Sequence, residues 1–178
     1  SSLRMSFHDF QALRAQLPGI EFLDASPLVK AQRMIKSEAE IAKTRAICTI
    51  ASNAFAEAPS LFHEGQTLSD AFRASKIALL RLGVEDVPYL VGGAGQGGYA
   101  DVISPPGEQR LQPGDVFMLD TGATLRGYFC DFDRNFAIGH ASDTAKAAHS
   151  TLYRATEAAL AIARPGIRAS DLHRAMAK

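Results

Sequence analysis

The chain has 178 residues, about the length of one ordinary domain, with 47% hydrophobic and 21% charged residues; that balance supports a folded core and excludes global disorder. Nineteen basic residues balance nineteen acidic ones, and without a basic stripe to neutralise phosphates, nucleic acid is not an expected partner. The longest purely apolar run, residues 158–163, falls far short of the roughly 20 residues of a membrane span, and the opening SSLRMSFHDF has no apolar signal core, so neither membrane insertion nor export is expected.

Residues 1–32 read as a connector or the tail of an amino-terminal domain. They hold an amphipathic stretch from Phe7 to Leu17, a Pro18-Gly19 turn, a strand-like IEFLD and Pro27 opening a short helix. From Ser37 the pattern changes. Ser37 and Glu40 have capping-box spacing, and Ile41, Cys48, Ala51 and Phe55 recur at helical period until Pro59. Thr67 and Asp70 repeat the cap before a second helix with Leu68, Phe72, Ile77, Leu80 and Leu82 on its apolar face, ended by Gly83. The period then shortens. PYLVGG and GYADVIS read as extended segments, and the LQPGD turn feeds two long strand-like runs, 115–125 and 127–139, most economically a hairpin. Ser142 caps a helix with Ala145, Ala148, Leu152, Ala155, Ala159 and Ile162 on one side, and ASDLHRAMAK begins another without a stop signal, the mark of a cut end. Helices, then strands, then helices predict an α+β fold, a largely antiparallel sheet with helices on one face. Cys48 and Cys130 lie in apolar surroundings and read as reduced thiols, which suits the cytoplasm.

Asp120 and Asp131 are the most informative pair. A hairpin turn centred on Leu125-Arg126 would set them directly opposite, on one face, and like charges so placed repel unless a cation lies between them. The spacing leaves two readings open: solvated edge charges paired with Arg126 or Arg134, or ligands of a divalent metal. Apolar neighbours on both strands favour the second, because an unpaired carboxylate there would be poorly solvated. Asp133 shares the face of Asp131, and Arg134 takes the other. Gly93-Ala94-Gly95-Gln96-Gly97-Gly98 satisfies a dinucleotide fingerprint, yet no helix follows to receive a pyrophosphate, so a flexible loop lining a substrate groove is expected and no nucleotide cofactor.

The run from Leu111 to Gly139 resembles the signature of the pita-bread metallopeptidase superfamily, the group of Xaa-Pro dipeptidase, aminopeptidase P, methionine aminopeptidase and creatinase. The matching residues are Gly114-Asp115, an apolar strand, Asp120 with Gly122, Gly127-Tyr128, Asp131 and Arg134. RMIKSEAEI at Arg33–Ile41 resembles the entry to the catalytic domain, and RPGIRASDLH the turn and helix closing its first half. The resemblance runs from about residue 33 to the end and implies that residues 33–178 are the amino-terminal part of a catalytic domain, the first half of a pita-bread fold, with Asp120 and Asp131 as metal ligands and two divalent ions (Mn, Co, Zn or Fe). It implies a hydrolase whose metal-activated water attacks an amide or peptide carbonyl of a small peptide or small-molecule substrate, in a homodimer. The family's remaining ligands, a His and two Glu, belong to the second half; His140, His149 and His173 read as surface histidines and do not replace them. The substrate-contacting His that such peptidases carry eleven residues before the glycine of the Gly-Asp pair is Ile103 here, which puts ordinary Xaa-Pro hydrolysis in question. A pita-bread enzyme for a small non-peptide substrate and a non-catalytic binding module of the same fold are the alternatives; no catalytic residue beyond the ligands is assigned.

Overall fold

Four helix starts in this chain are set by short polar side chains, Ser6, Ser37, Thr67 and Ser142, that satisfy the first free backbone N–H groups. The computed structural model describes residues 5–103 and 105–177, and its contacts divide the chain into two compact units, residues 1–41 and 42–178. In the first unit, α1 (Phe7–Gln16) is capped by Ser6, whose Oγ accepts from the Asp9 N–H at 3.1 Å. The run at 20–24 is not a strand: among the described residues no strand pairs with it, and the ring of Phe22 instead packs edge-on against Phe10 at 5.3 Å. Then α2 (Ser26–Met34) begins with Pro27 in its first turn, where the missing N–H costs nothing.

The capping box forms as expected before α3 (Glu38–Ala56): the Ser37 N–H donates to Glu40 Oε2 at 2.7 Å, and the Glu40 N–H to Ser37 Oγ at 3.4 Å. A one-turn helix, α4 (Ala58–Leu61), follows, and Thr67 caps α5 (Leu68–Arg81). Three strands, β1 (Asp86–Gln96), β2 (Asp115–Leu125) and β3 (Tyr128–Ala137), form an antiparallel sheet in the order β1-β2-β3. Two helices close the described chain, α6 (Asp143–Ile162), capped by Ser142, and α7 (Ala169–Met176). The class is α+β, as predicted.

Strand alternation splits the sheet into two chemically different faces. Phe117, Leu119, Thr121 and Ala123 of β2, with Cys130 of β3, point to the core and are at most 4% exposed. There they meet Ile47, Ala51 and Ala54 of α3 and Ala71, Phe72, Ala78 and Leu79 of α5. Phe55 stacks on both Phe132 and Phe136 at about 6 Å, and Phe62 meets Phe117 edge-on at 4.9 Å. The α5 face differs from expectation: Ile77 and Leu80 are 57% and 42% exposed, while Ala71, Ser75 and Ala78 are buried. Small residues win there because they let the helix lie close to the sheet, which a row of branched side chains would prevent.

Two further expectations are corrected. The glycine run is not a flexible loop but the second half of β1, with Gly92 to Gln96 paired to Leu119 through Asp115. A Cβ on Gly92 would lie 2.1 Å from the Met118 carbonyl oxygen, and one on Gly93 2.6 Å from that of Asp101; the glycines serve backbone packing. Of GYADVIS, residues 98–103 form no strand and turn back over that bare strand, while Ser104 lies outside the described residues.

Candidate metal centre

The hairpin is joined by Arg126 and Gly127, both at positive φ (50° and 78°), the two-residue turn whose twist matches that of the strands it joins. The turn therefore sits one residue later than the sequence suggested. Leu125 faces Tyr128, Gly122 faces Asp131 and Asp120 faces Asp133. The direct Asp120–Asp131 pairing is thus replaced by a diagonal one. A shift of two residues in register keeps every side chain on its face, so Asp120, Asp131 and Asp133 all project from the face opposite the helix-packed core.

Asp120 and Asp131 converge on one group that sequence reasoning missed. The Tyr89 hydroxyl lies 3.2 Å from Asp120 Oδ1 and 2.5 Å from Asp131 Oδ1. Tyr89 reaches this face because β1 carries one extra residue between Asp86 and Tyr89: Asp86 pairs with Thr124, but Tyr89 pairs with Gly122. Without that bulge Tyr89 would oppose Thr121 and point into the core; bulges commonly re-aim a side chain in this way. Pro88, which cannot donate a ladder hydrogen bond, was the available sequence signal. Thr121 Oγ1 donates to the Tyr89 carbonyl at 3.0 Å and fixes the backbone. Opposite, Gly122 leaves room for the ring: a Cβ there would lie 2.5 Å from Tyr89 Cε1 and 2.1 Å from Phe129 Cζ.

The electrostatics follow from this crowding. Burial holds the Asp120 carboxyl above its ordinary value; the bond from Tyr89 opposes the shift, while the charges of Asp131 and Asp133 add to it. Burial, the bond to Asp131 and the charge of Asp120 push the Tyr89 phenol well above its ordinary value, so it stays a donor. Neither predicted arginine neutralises the pair. Arg134 lies over the Phe132 ring at 5.2 Å and donates to the Asp133 carbonyl oxygen, the Arg126 N–H donates to Glu85, and among the described residues neither Asp120 nor Asp131 has an ion pair.

As a donor set, the half-buried Asp120 and the exposed Asp131, sharing one phenol, suit one side of a hard-cation site. They do not make a whole site, for among the described residues no group of three His, Cys, Asp or Glu side chains could hold a metal. His140, His149 and His173 are exposed, as expected. Asp115 has a structural task instead: it is buried and accepts from Gln96 Nε2 at 2.7 Å and the Gln112 N–H at 2.8 Å, locking the turn that launches β2. Ile103 is 77% exposed. Cys48 and Cys130 are both free thiols, Cys130 buried and its pKa raised, chiefly by that burial.

The model of metallopeptidase family M24 matches residues 42–178. The chain is 29% identical over 149 residues to a probable dipeptidase PepE of Mycobacterium tuberculosis, covering 83% of this chain and 40% of that protein. It is also 29% identical over 166 residues to an Xaa-Pro dipeptidase of Lactobacillus delbrueckii subsp. lactis, covering 92% and 45%. Among solved structures, the X-Pro aminopeptidase of Thermotoga maritima superposes with a TM-score of 0.84 at 28% identity, over 97% of this chain and 49% of that one. The prolidase of Pyrococcus horikoshii gives 0.85 at 22% identity, a likeness of fold, over 97% and 50%. The chain thus spans half or less of the length of these relatives, and its fold is the first half of the pita-bread architecture.

Proposed function

The chain belongs to metallopeptidase family M24, and on that premise we propose that it carries part of the active site of a metal-dependent hydrolase acting on the amide or peptide carbonyl of a small substrate. The observation that carries this reading is the placement of Asp120 and Asp131 on one sheet face, both within hydrogen-bond reach of a single phenol and without an arginine or lysine partner among the described residues. Such a pair is repulsive until a cation neutralises it. Asp120 and Asp131 would hold two divalent ions, with Mn, Co, Zn or Fe all compatible with hard carboxylate donors. Bound there, such ions supply Lewis-acid polarisation of a carbonyl and a water activated near neutral pH. The chain's own residues supply orientation: β2 and β3 present the carboxylates, the bulge in β1 presents Tyr89, and the Phe129 ring, 46% exposed, flanks the site with an apolar surface.

Peptides like those named for the dipeptidase relatives are the first substrate class to test. Ile103 favours a second reading, because it stands where peptidases of the superfamily have a substrate-contacting His and its side chain can neither donate nor accept a hydrogen bond. On that reading the substrate is a small non-peptide amide, or the groove binds without turnover. Two free thiols support a cytoplasmic setting, and no helix among the described residues is long and apolar enough to cross a membrane.

Calorimetric titration of the chain with Mn²⁺ tests the reading directly. Heat of binding is expected for the wild type and none for Asp131→Asn, which keeps the shape and removes the charge. Equal titrations for the two proteins would sink it.

A further inference from the structure

Tyr89 is not among the residues that the family resemblance assigned, yet it is the one group that touches both candidate ligands. We propose that Tyr89 is a positioning residue, whose hydroxyl holds Asp120 and Asp131 at the spacing and orientation in which they accept a divalent cation. The inference rests on the metal-site reading above and adds to it the means by which the half-site is set before the cation arrives.

The structure gives this phenol few other roles. A tyrosine that merely fills space does not need its hydroxyl between two carboxylates, and a carboxylate pair with no cation between them gains by separating. Here the pair is instead drawn to one donor from Oδ1 atoms on different strands. Three features fix that donor from behind. The extra residue in β1 turns Tyr89 onto the acidic face, the Thr121 hydroxyl pins its carbonyl, and its ring lies over Gly122 with its centroid 6.2 Å from that of Phe129. A phenol so held is a rigid anchor with only two rotatable side-chain bonds, and groups behind metal ligands commonly change metal affinity by about 10- to 100-fold when removed.

The test is a Mn²⁺ titration of the full chain, with free ion counted by its paramagnetic resonance signal, for wild type, Tyr89→Phe and Asp131→Asn. Melting in chelator is recorded for each. The phenylalanine keeps the ring and its packing and deletes only the donor. The expected result is Mn²⁺ affinity about tenfold weaker for Tyr89→Phe with the melting temperature little changed, whereas a merely structural tyrosine would move melting and leave affinity alone. Wild-type affinity in Tyr89→Phe overturns the positioning role and leaves the metal site standing. A wild type whose Mn²⁺ binding is no stronger than that of Asp131→Asn overturns both. Should Tyr89→Phe fail to fold, Phe129→Leu removes the ring's lateral support and keeps the hydroxyl; a smaller loss in the same direction supports the role, and unchanged affinity overturns it.

Discussion

At Asp120, burial and two neighbouring carboxylates act in the same direction, and only the Tyr89 hydrogen bond opposes them. Its carboxyl therefore binds a proton more tightly in the folded chain than in the unfolded one, where the ordinary value of 3.8 applies. Ionised Asp120 consequently weakens folding at neutral pH in the absence of cations. That penalty shrinks as pH falls through the raised value and is gone below 3.8. Replacing the group by its neutral isostere removes the penalty while leaving an acceptor for Tyr89. Asp120→Asn is accordingly expected to melt higher than wild type at neutral pH in chelator, with the difference closing in acid, and to lose its stabilisation by added Mn²⁺. A variant that melts lower than wild type in chelator would mean that this carboxylate supports the fold rather than strains it.

The β2–β3 hairpin decides whether such residues meet at all, and its register is set by two residues. Gly127 sits at φ 78° with nothing within 4 Å of where a Cβ would lie, so substitution there meets conformational cost alone. Gly127→Ala is expected to destabilise the chain by about 1 kcal/mol, read as a lower midpoint in urea, and Arg126→Asn to be neutral or stabilising because asparagine tolerates positive φ. Equal midpoints for Gly127→Ala and wild type would show that the turn does not govern the hairpin. This turn also shows how far the sequence could be read. Strand alternation carried the face of Asp120, Asp131 and Asp133, and an error of two residues in register left that face intact. The capping residues Ser37, Thr67 and Ser142 were equally legible, since a local hydrogen bond needs only local sequence. Tyr89 was not. Its position depends on a single extra residue in β1, invisible to a period-two pattern and detectable only through the proline beside it. The burial of Ala71 and Ala78 in preference to Ile77 was hidden for a similar reason: a close helix–sheet approach is a property of two elements, whereas periodicity reports one.

Across the larger unit, residues 42–178, apolar surface is unevenly used. The α3 and α5 helices bury one face each against the sheet, yet α6 and α7 bury no residue, and Leu152, Tyr153 and Leu160 of α6 are 68%, 61% and 63% exposed. On the side of α6 that the sequence marked for packing, Ala148 and Leu152 are exposed while Ala145, Ala155, Ala159 and Ile162 are half-buried, in a chain that spans half or less of its relatives' length. Exposed leucines on a formed helix need no refolding to associate, and covering one is worth about 1.5–3 kcal/mol. Sedimentation of the chain should accordingly show self-association that increases with concentration. Leu152→Asp combined with Leu160→Asp should weaken it by at least about tenfold without lowering the melting temperature, because neither leucine is buried in the folded chain. If the wild type sediments as a monomer at every concentration, or the double variant associates as strongly, the α6 surface is not what brings copies together. Mn²⁺ binding by the double variant separates this surface from the acidic pair: Asp120 and Asp131 lie on β2 and β3, so the two sets of substitutions should leave each other's readout unchanged.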